Sequence, residues 1–168
     1  MRLTNMTEHS TTIRQAQETD YEGLARFFEE NNTAEVTRQF HPFPLSRETA
    51  RQIACTNHLD RYYVAMMKRE VVGLCMLRGW DEGFDIPSFG ILLDYRYHGL
   101  GLGRQMTEFA IAQAKRLGCG RVRLTVYASN VRSVRLYLSL GFKEIYREPV
   151  IVAGEADTKL IMMKDMKK

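Results

Sequence analysis

The stretch Asp94-Tyr95-Arg96-Tyr97-His98-Gly99-Leu100-Gly101-Leu102-Gly103-Arg104 decides how the rest of the chain is read. It follows a β-like run at 88–93 and opens a helical stretch over 101–117, with Met106, Ala110, Ala114 and Leu117 on one stripe. The first amides of a helix lack carbonyl partners within it, and with the positive end of the helix dipole they attract an anion. Glycines at 99, 101 and 103 permit close approach and dihedrals that a side chain would forbid. Arg104 adds a positive charge on the first turn. Two rival phosphate loops fail on spacing. The dinucleotide fingerprint needs glycine at 104 or 106, where Arg104 and Met106 stand, and the Gly-Lys-Ser/Thr of a P-loop is absent. A purely structural turn is the remaining alternative.

Working outward, residues 13–16 read as a short strand, and Thr19 with Glu22 has the capping-box pattern that opens a helix to about Glu30. Asn31-Asn32 ends it, and the prolines at 42 and 44 keep the next segment out of regular helix. Ser46 can cap a second helix through about Cys55. Runs at 62–67 and 71–77 read as a hairpin turning at Lys68-Arg69-Glu70, followed by an acidic loop over 79–87. Beyond the long helix, Gly118 is placed as its C-cap. Residues 121–127 alternate strictly, with Val122, Leu124 and Val126 on a buried face. A short helix over 130–140 stops at Gly141, and two last strands fall at 143–146 and 158–163. Strands interleaved with helices make this an α/β chain with a mixed sheet.

The 168 residues fit one domain at 11–168 behind a polar, flexible segment at 1–10. Hydrophobic residues at 45% and charged residues at 26% are ordinary for a soluble globular protein. The longest apolar run, 71–77, falls far short of the roughly 20 residues a membrane span needs. No apolar stretch follows the N-terminus, so a cytoplasmic location is expected. Three cysteines at 55, 75 and 119 and four scattered histidines show no metal-ligand spacing, so no metal is expected. The net charge of +4 comes from scattered residues, which suits a basic surface with one phosphate site better than nucleic-acid binding.

The pattern His98-x-x-Gly101-x-Gly103, preceded by Gly99, resembles the Gln/Arg-x-x-Gly-x-Gly/Ala signature of the GNAT superfamily of acyl-coenzyme A-dependent N-acyltransferases. The stretch Asn130-Val-Arg-Ser133-Val-Arg-Leu136-Tyr137-Leu-Ser-Leu140-Gly141-Phe142 resembles that family's second signature. The resemblance spans roughly residues 88–146 and departs at His98, where an imidazole replaces the usual Gln or Arg. It implies a mostly antiparallel mixed sheet of six to seven strands, flanked by about four helices and splayed between the fourth and fifth strands.

The resemblance further implies acetyl-coenzyme A as cofactor. The backbone of Ile91, Leu92 and Leu93 would pair with its pantetheine arm. His98, Gly99, Leu100, Gly101, Leu102, Gly103 and Arg104 would hold the pyrophosphate, and Asn130 and Ser133 would contact the cofactor. Tyr137 matches the general acid that protonates the departing thiolate. Asn130 is also an excellent N-cap on propensity alone. A homodimer is left open, since family members commonly form dimers and no residue here marks an interface.

The acceptor side is less determined. An alkyl amine, with a pKa near 10.4 if like lysine, arrives protonated and must lose a proton before it attacks. Glu82 and Asp85 in the 79–87 loop are candidate bases, and Asp81 and Trp80 candidate substrate contacts; a merely solvated loop is the alternative. His41 lies between the first two helices, a region that often shapes the acceptor pocket in this family. The leading expectation is transfer to a small-molecule amine. A macromolecular amine and a non-catalytic acyl-coenzyme A sensor are the alternatives.

Overall fold

The computed structural model describes residues 10–40 and 42–166. Nearly all of the expected flexible segment lies outside this range, as does His41. Chain order is β1 (Thr12–Gln15), α1 (Tyr21–Asn31), α2 (Ala34–Gln39), α3 (Arg47–Cys55), β2 (Arg61–Met67), β3 (Glu70–Arg78), β4 (Ser88–Leu93), α4 (Leu102–Arg116), β5 (Arg121–Tyr127), α5 (Val131–Ser139), β6 (Lys143–Val152) and β7 (Glu155–Asp165). The strands form one sheet in the order β1-β2-β3-β4-β5-β7-β6. Neighbours are antiparallel except β4 and β5, which run parallel and share the single register pair Ser88–Arg123. The Arg123 amide donates to Pro87 O at 3.0 Å, and beyond that point the two strands part. The expected splay is there.

Two cores form on opposite faces. One gathers Met106, Ala110 and Ala114 of α4, Val122, Leu124 and Val126 of β5, and Tyr137 and Phe142. The other packs α1 and α3, through Leu24, Phe28, Ala50 and Ile53, on Val64, Leu74, Met76 and Leu92. Helix α4 lies so close to β3 that a Cβ on Gly73 would stand 2.7 Å from Met106 Sδ.

Several elements differ from the sequence reading. The capping box does not use Thr19 and Glu22: the chain first makes a 3-10 turn, Glu18–Asp20, where the Asp20 carboxylate accepts from the Gln17 amide at 2.7 Å. Arg14 holds the same carboxylate bidentately at 2.7 and 2.8 Å, so a long-range ion pair claims the acid. Helix α2 went unread because it buries no residue; Thr33 caps it, accepting from the Val36 amide at 3.3 Å. Strands β6 and β7 are longer than expected because Ala153 and Gly154 turn with φ of 50° and 81°, a tight hairpin that lets both strands continue. Pro149 is tolerated within β6 because that strand is an edge, which also carries a bulge between Glu144 and Tyr146.

One buried network ties the chain after β4 to helix α1. Asp94 and Asn31 are both fully buried. Asp94 accepts from the Arg96 amide at 2.9 Å, from Arg96 Nε and Nη2 at 3.0 and 2.9 Å, and from Asn31 Nδ2 at 3.4 Å. Asn31 Oδ1 in turn accepts from the Tyr95 amide at 3.3 Å. Burial alone would raise the Asp94 carboxyl, but the Arg96 guanidinium and the amides outweigh it and hold the group below the ordinary aspartate range. The contribution is therefore complete above the unfolded value of about 4 and is lost as pH falls through the lower folded value. Asp94→Ala should cost about 3 kcal/mol in urea unfolding at neutral pH, because it removes the acceptor of the Arg96 amide and of Arg96 Nε and leaves Asn31 Nδ2 only its bond to Phe27 O. The penalty should shrink below about pH 4; an equal loss at pH 3 and pH 7 would refute the ion-pair account.

Candidate active site

Strand β4 delivers the chain into a 3-10 turn, Tyr95–Tyr97, and then into the glycine loop. Gly99 and Gly101 sit at φ of 79° and 80°, where L side chains are strained. Gly101 is the N-cap of α4 and offers no side chain to it, whereas Thr33, Ser46 and Asn130 cap α2, α3 and α5. The first bond within α4 runs from the Gln105 amide to Gly101 O at 3.1 Å, so the amides of Leu102, Gly103 and Arg104 precede the helical ladder. A Cβ built at Gly99, Gly101 or Gly103 meets nothing within 4 Å. An uncapped helix start with open space beside its glycines is a cradle that an oxyanion can fill.

The flanking side chains frame this cradle. His98 is exposed, with Nε2 3.3 Å from Leu93 O. Leu100 is 70% exposed. Arg104 leans to the side, donating to Ser139 Oγ of α5 at 2.7 Å and to Glu108 at 3.4 Å. Ile91 and Leu93 pack half-buried on the α4 side of the sheet, and Leu92 is buried on the other.

Across the gap, α5 carries Tyr137. Its ring is buried edge-on between Phe89 of β4 and Phe142, with centroids 6.1 and 5.9 Å away. Burial pushes the phenol's pKa well up, and a hydrogen bond with Ser133 offsets this only in part. The hydroxyl thus keeps its proton throughout the neutral range. Asn130 caps α5, its Oδ1 accepting from the Ser133 amide at 3.4 Å, so both residues help set the pitch of the helix that presents Tyr137.

The loop between β3 and β4 begins with a 3-10 turn, Trp80–Glu82. Trp80 packs half-buried on the α4 core, and Phe84 is 61% exposed. Asp81 serves the loop's own framework, accepting from the Leu59 and Asp60 amides at 2.8 and 3.4 Å. Asp60 reciprocates from the Gly79 and Asp81 amides. Glu82 and Asp85 are exposed and make no side-chain hydrogen bond among the described residues.

Sequence reasoning missed a bridge across the α1 and α3 face. Arg38 of α2 reaches Asp157 of β7 at 3.2 Å, Glu155 at 3.7 Å and Ser129 Oγ at 3.5 Å. No local signal marks a pair 119 residues apart.

The comparisons with known proteins bear on the family and the fold. The profile of the acetyltransferase (GNAT) family matches residues 21–142, both signature stretches included. The chain belongs to the acetyltransferase (GNAT) family. Among its GNAT relatives, the [ribosomal protein bS18]-alanine N-acetyltransferase of Escherichia coli K12 is 41% identical over 109 residues, covering 65% of this chain and 71% of that protein. The fold matches a spermidine N-acetyltransferase from Vibrio cholerae, solved with CoA and spermine, at a TM-score of 0.76 and 19% identity over 93% of this chain and 95% of that one. It likewise matches yncA from Salmonella typhimurium, solved with its cofactor acetyl-CoA, at a TM-score of 0.77 and 21% identity over 95% of each chain.

The cradle makes a mutational prediction. Gly101→Val should fold with a loss of roughly 1–2 kcal/mol from the positive φ. It should also lose most coenzyme A binding by calorimetry, because the isopropyl group fills the approach to the α4 amides. Unaltered affinity in a folded variant would move the phosphate site elsewhere.

Proposed function

We propose that this GNAT protein transfers the acetyl group of acetyl-coenzyme A to a primary amine of a small molecule, by direct attack within a ternary complex. Family membership and the uncapped start of α4 support the donor. The loop from His98 to Arg104 would hold its diphosphate, while the backbone of Ile91, Leu92 and Leu93 would pair with its pantetheine arm. Asn130 and Ser133 would flank it from α5. When bound, the donor supplies an acyl thioester.

The protein's own groups divide the remaining work. Backbone groups of β4 beyond Ser88 have no strand partner on the β5 side, which leaves donors free to face an acyl oxygen. A new N–C bond forms as the C–S bond breaks, so one proton leaves the nitrogen and one reaches the sulfur. Tyr137, neutral and buried beside the gap, is suited to give the second. Glu82 and Asp85, exposed in the loop before β4, would take the first directly or through water.

The observation that carries the small-molecule reading is the bridge from Arg38 to Asp157. It joins α2 to the far half of the sheet and crosses the face from which an acceptor would come, so it favours a compact amine over an extended polypeptide. A second reading, acetylation of a protein N-terminus, draws on the named activity of the Escherichia coli relative. Thiol release measured with small amines and with alanine-initiated peptides separates them: the first reading expects turnover of the small amines and falls if only the peptides react.

Tyr137→Phe should lower kcat by about 10²-fold with the KM for acetyl-coenzyme A little changed. An unchanged kcat would remove the acid role.

A further inference from the structure

Where the sheet is still closed, three polar side chains stand in one row. Arg78 of β3 is in register with Ser88 of β4, and Ser88 with Arg123 of β5. Strands lie about 4.8 Å apart, so the two arginine backbones are separated by about 10 Å with the serine between them.

All three side chains share a face. Phe89, Ile91 and Leu93 of β4 belong to the α4 core, so Ser88 points the other way, as does the buried Leu92. Val122 and Leu124 also belong to the α4 core, which turns Arg123 to the opposite side. Leu74 and Met76 pack with α1 and α3, and Arg78 continues that alternation. The row therefore floors the face that Arg38 and Asp157 bridge.

Neither arginine is neutralised. Arg78 lies over the Phe43 ring at 5.2 Å, donates to Pro42 O at 3.2 Å and interacts with the Tyr62 side chain, but its buried Nε has no hydrogen-bond partner among the described residues. Arg123 makes no side-chain hydrogen bond or ion pair among the described residues. No carboxylate among them stands within 4.0 Å of either guanidinium. The nearby Asp60 and Asp81 are engaged with backbone amides. Two half-buried like charges and a buried, unpaired donor on one floor favour an anion between them.

We infer that the acceptor amine also carries an oxyanion group, a carboxylate or a phosphonate, and that Arg78, Ser88 and Arg123 hold it. The inference rests on the reading of the acceptor as a small molecule. Guanidinium forks match the two oxygens of such a group, and the serine hydroxyl adds a third donor. The same row fixes the substrate's length. Gly90 shares the face two residues along β4, roughly 7 Å from Ser88, so the amine must stand a few bonds from the acid to reach the middle of the strand.

The test compares 4-aminobutanoate and 3-aminopropylphosphonate with n-butylamine and 1,4-diaminobutane, by thiol release from acetyl-coenzyme A with the full chain. The acid-bearing amines should exceed n-butylamine in kcat/KM by at least tenfold, and the better of the two identifies the oxyanion. That ratio should fall by about tenfold in Arg78→Gln and in Arg123→Gln, and Arg123→Lys should restore part of it. Equal kcat/KM for the acidic and plain amines, or a ratio kept in both variants, would overturn the inference. If no amine releases thiol, the transfer reading falls and calorimetry on the coenzyme A complex decides this one. Binding of 4-aminobutanoate that is lost in both variants supports the row; binding that is equal in all three proteins removes it.

Discussion

The incomplete pairing of β4 with β5 is the constraint on which the rest of the structure depends. Two parallel neighbours in a sheet would ordinarily bond along their length, yet here they share one register pair and then diverge. Backbone groups exposed in this way must find water or a ligand, because leaving them dry and unpaired is costly. The antiparallel contacts β3–β4 and β5–β7 hold the two strands rigidly on their outer sides, so the gap cannot close by a local shift. Binding capacity is thus stored in backbone geometry.

Around that gap, the two sheet faces are built differently. The α4 face brings an uncapped helix start and a buried phenol to one side of the opening. The α1 and α3 face brings charge: arginines on β3 and β5, and the α2 bridge to β7. The Asp94–Asn31 network joins the faces, fixing the turn before the glycine loop against the end of α1. A change at the end of α1 therefore reaches the turn before the glycine loop through two buried polar groups.

Much of this was legible in the chain because it rests on local pattern. Strands β4 and β5 fall where the sequence put them, since alternation and a flanking turn fix both ends. Ser46 caps α3 as its position before the helix suggests. The glycine loop declares itself through residues whose conformational freedom a helix start exploits. What escaped was non-local. Helix α2 has no buried stripe to betray it, and Asp20 answers to Arg14 rather than to its own helix. The Arg38 bridge and the Arg78–Ser88–Arg123 row exist only once strand register is known, and no spacing along the chain contains it.

The outer margin of the sheet behaves differently from its central gap. Strand β6 is an edge of 10 residues with Ile145, Tyr146 and Ile151 exposed, a length and greasiness that invite another chain to add on. The bulge beside Ile145 and the missing N–H at Pro149 interrupt the ladder that a foreign strand would read, and Lys143 and Arg147 charge its rim. Fibre growth from this side meets a broken template, so the molecule can keep one stretch of β backbone open for chemistry without offering a second to its own aggregation.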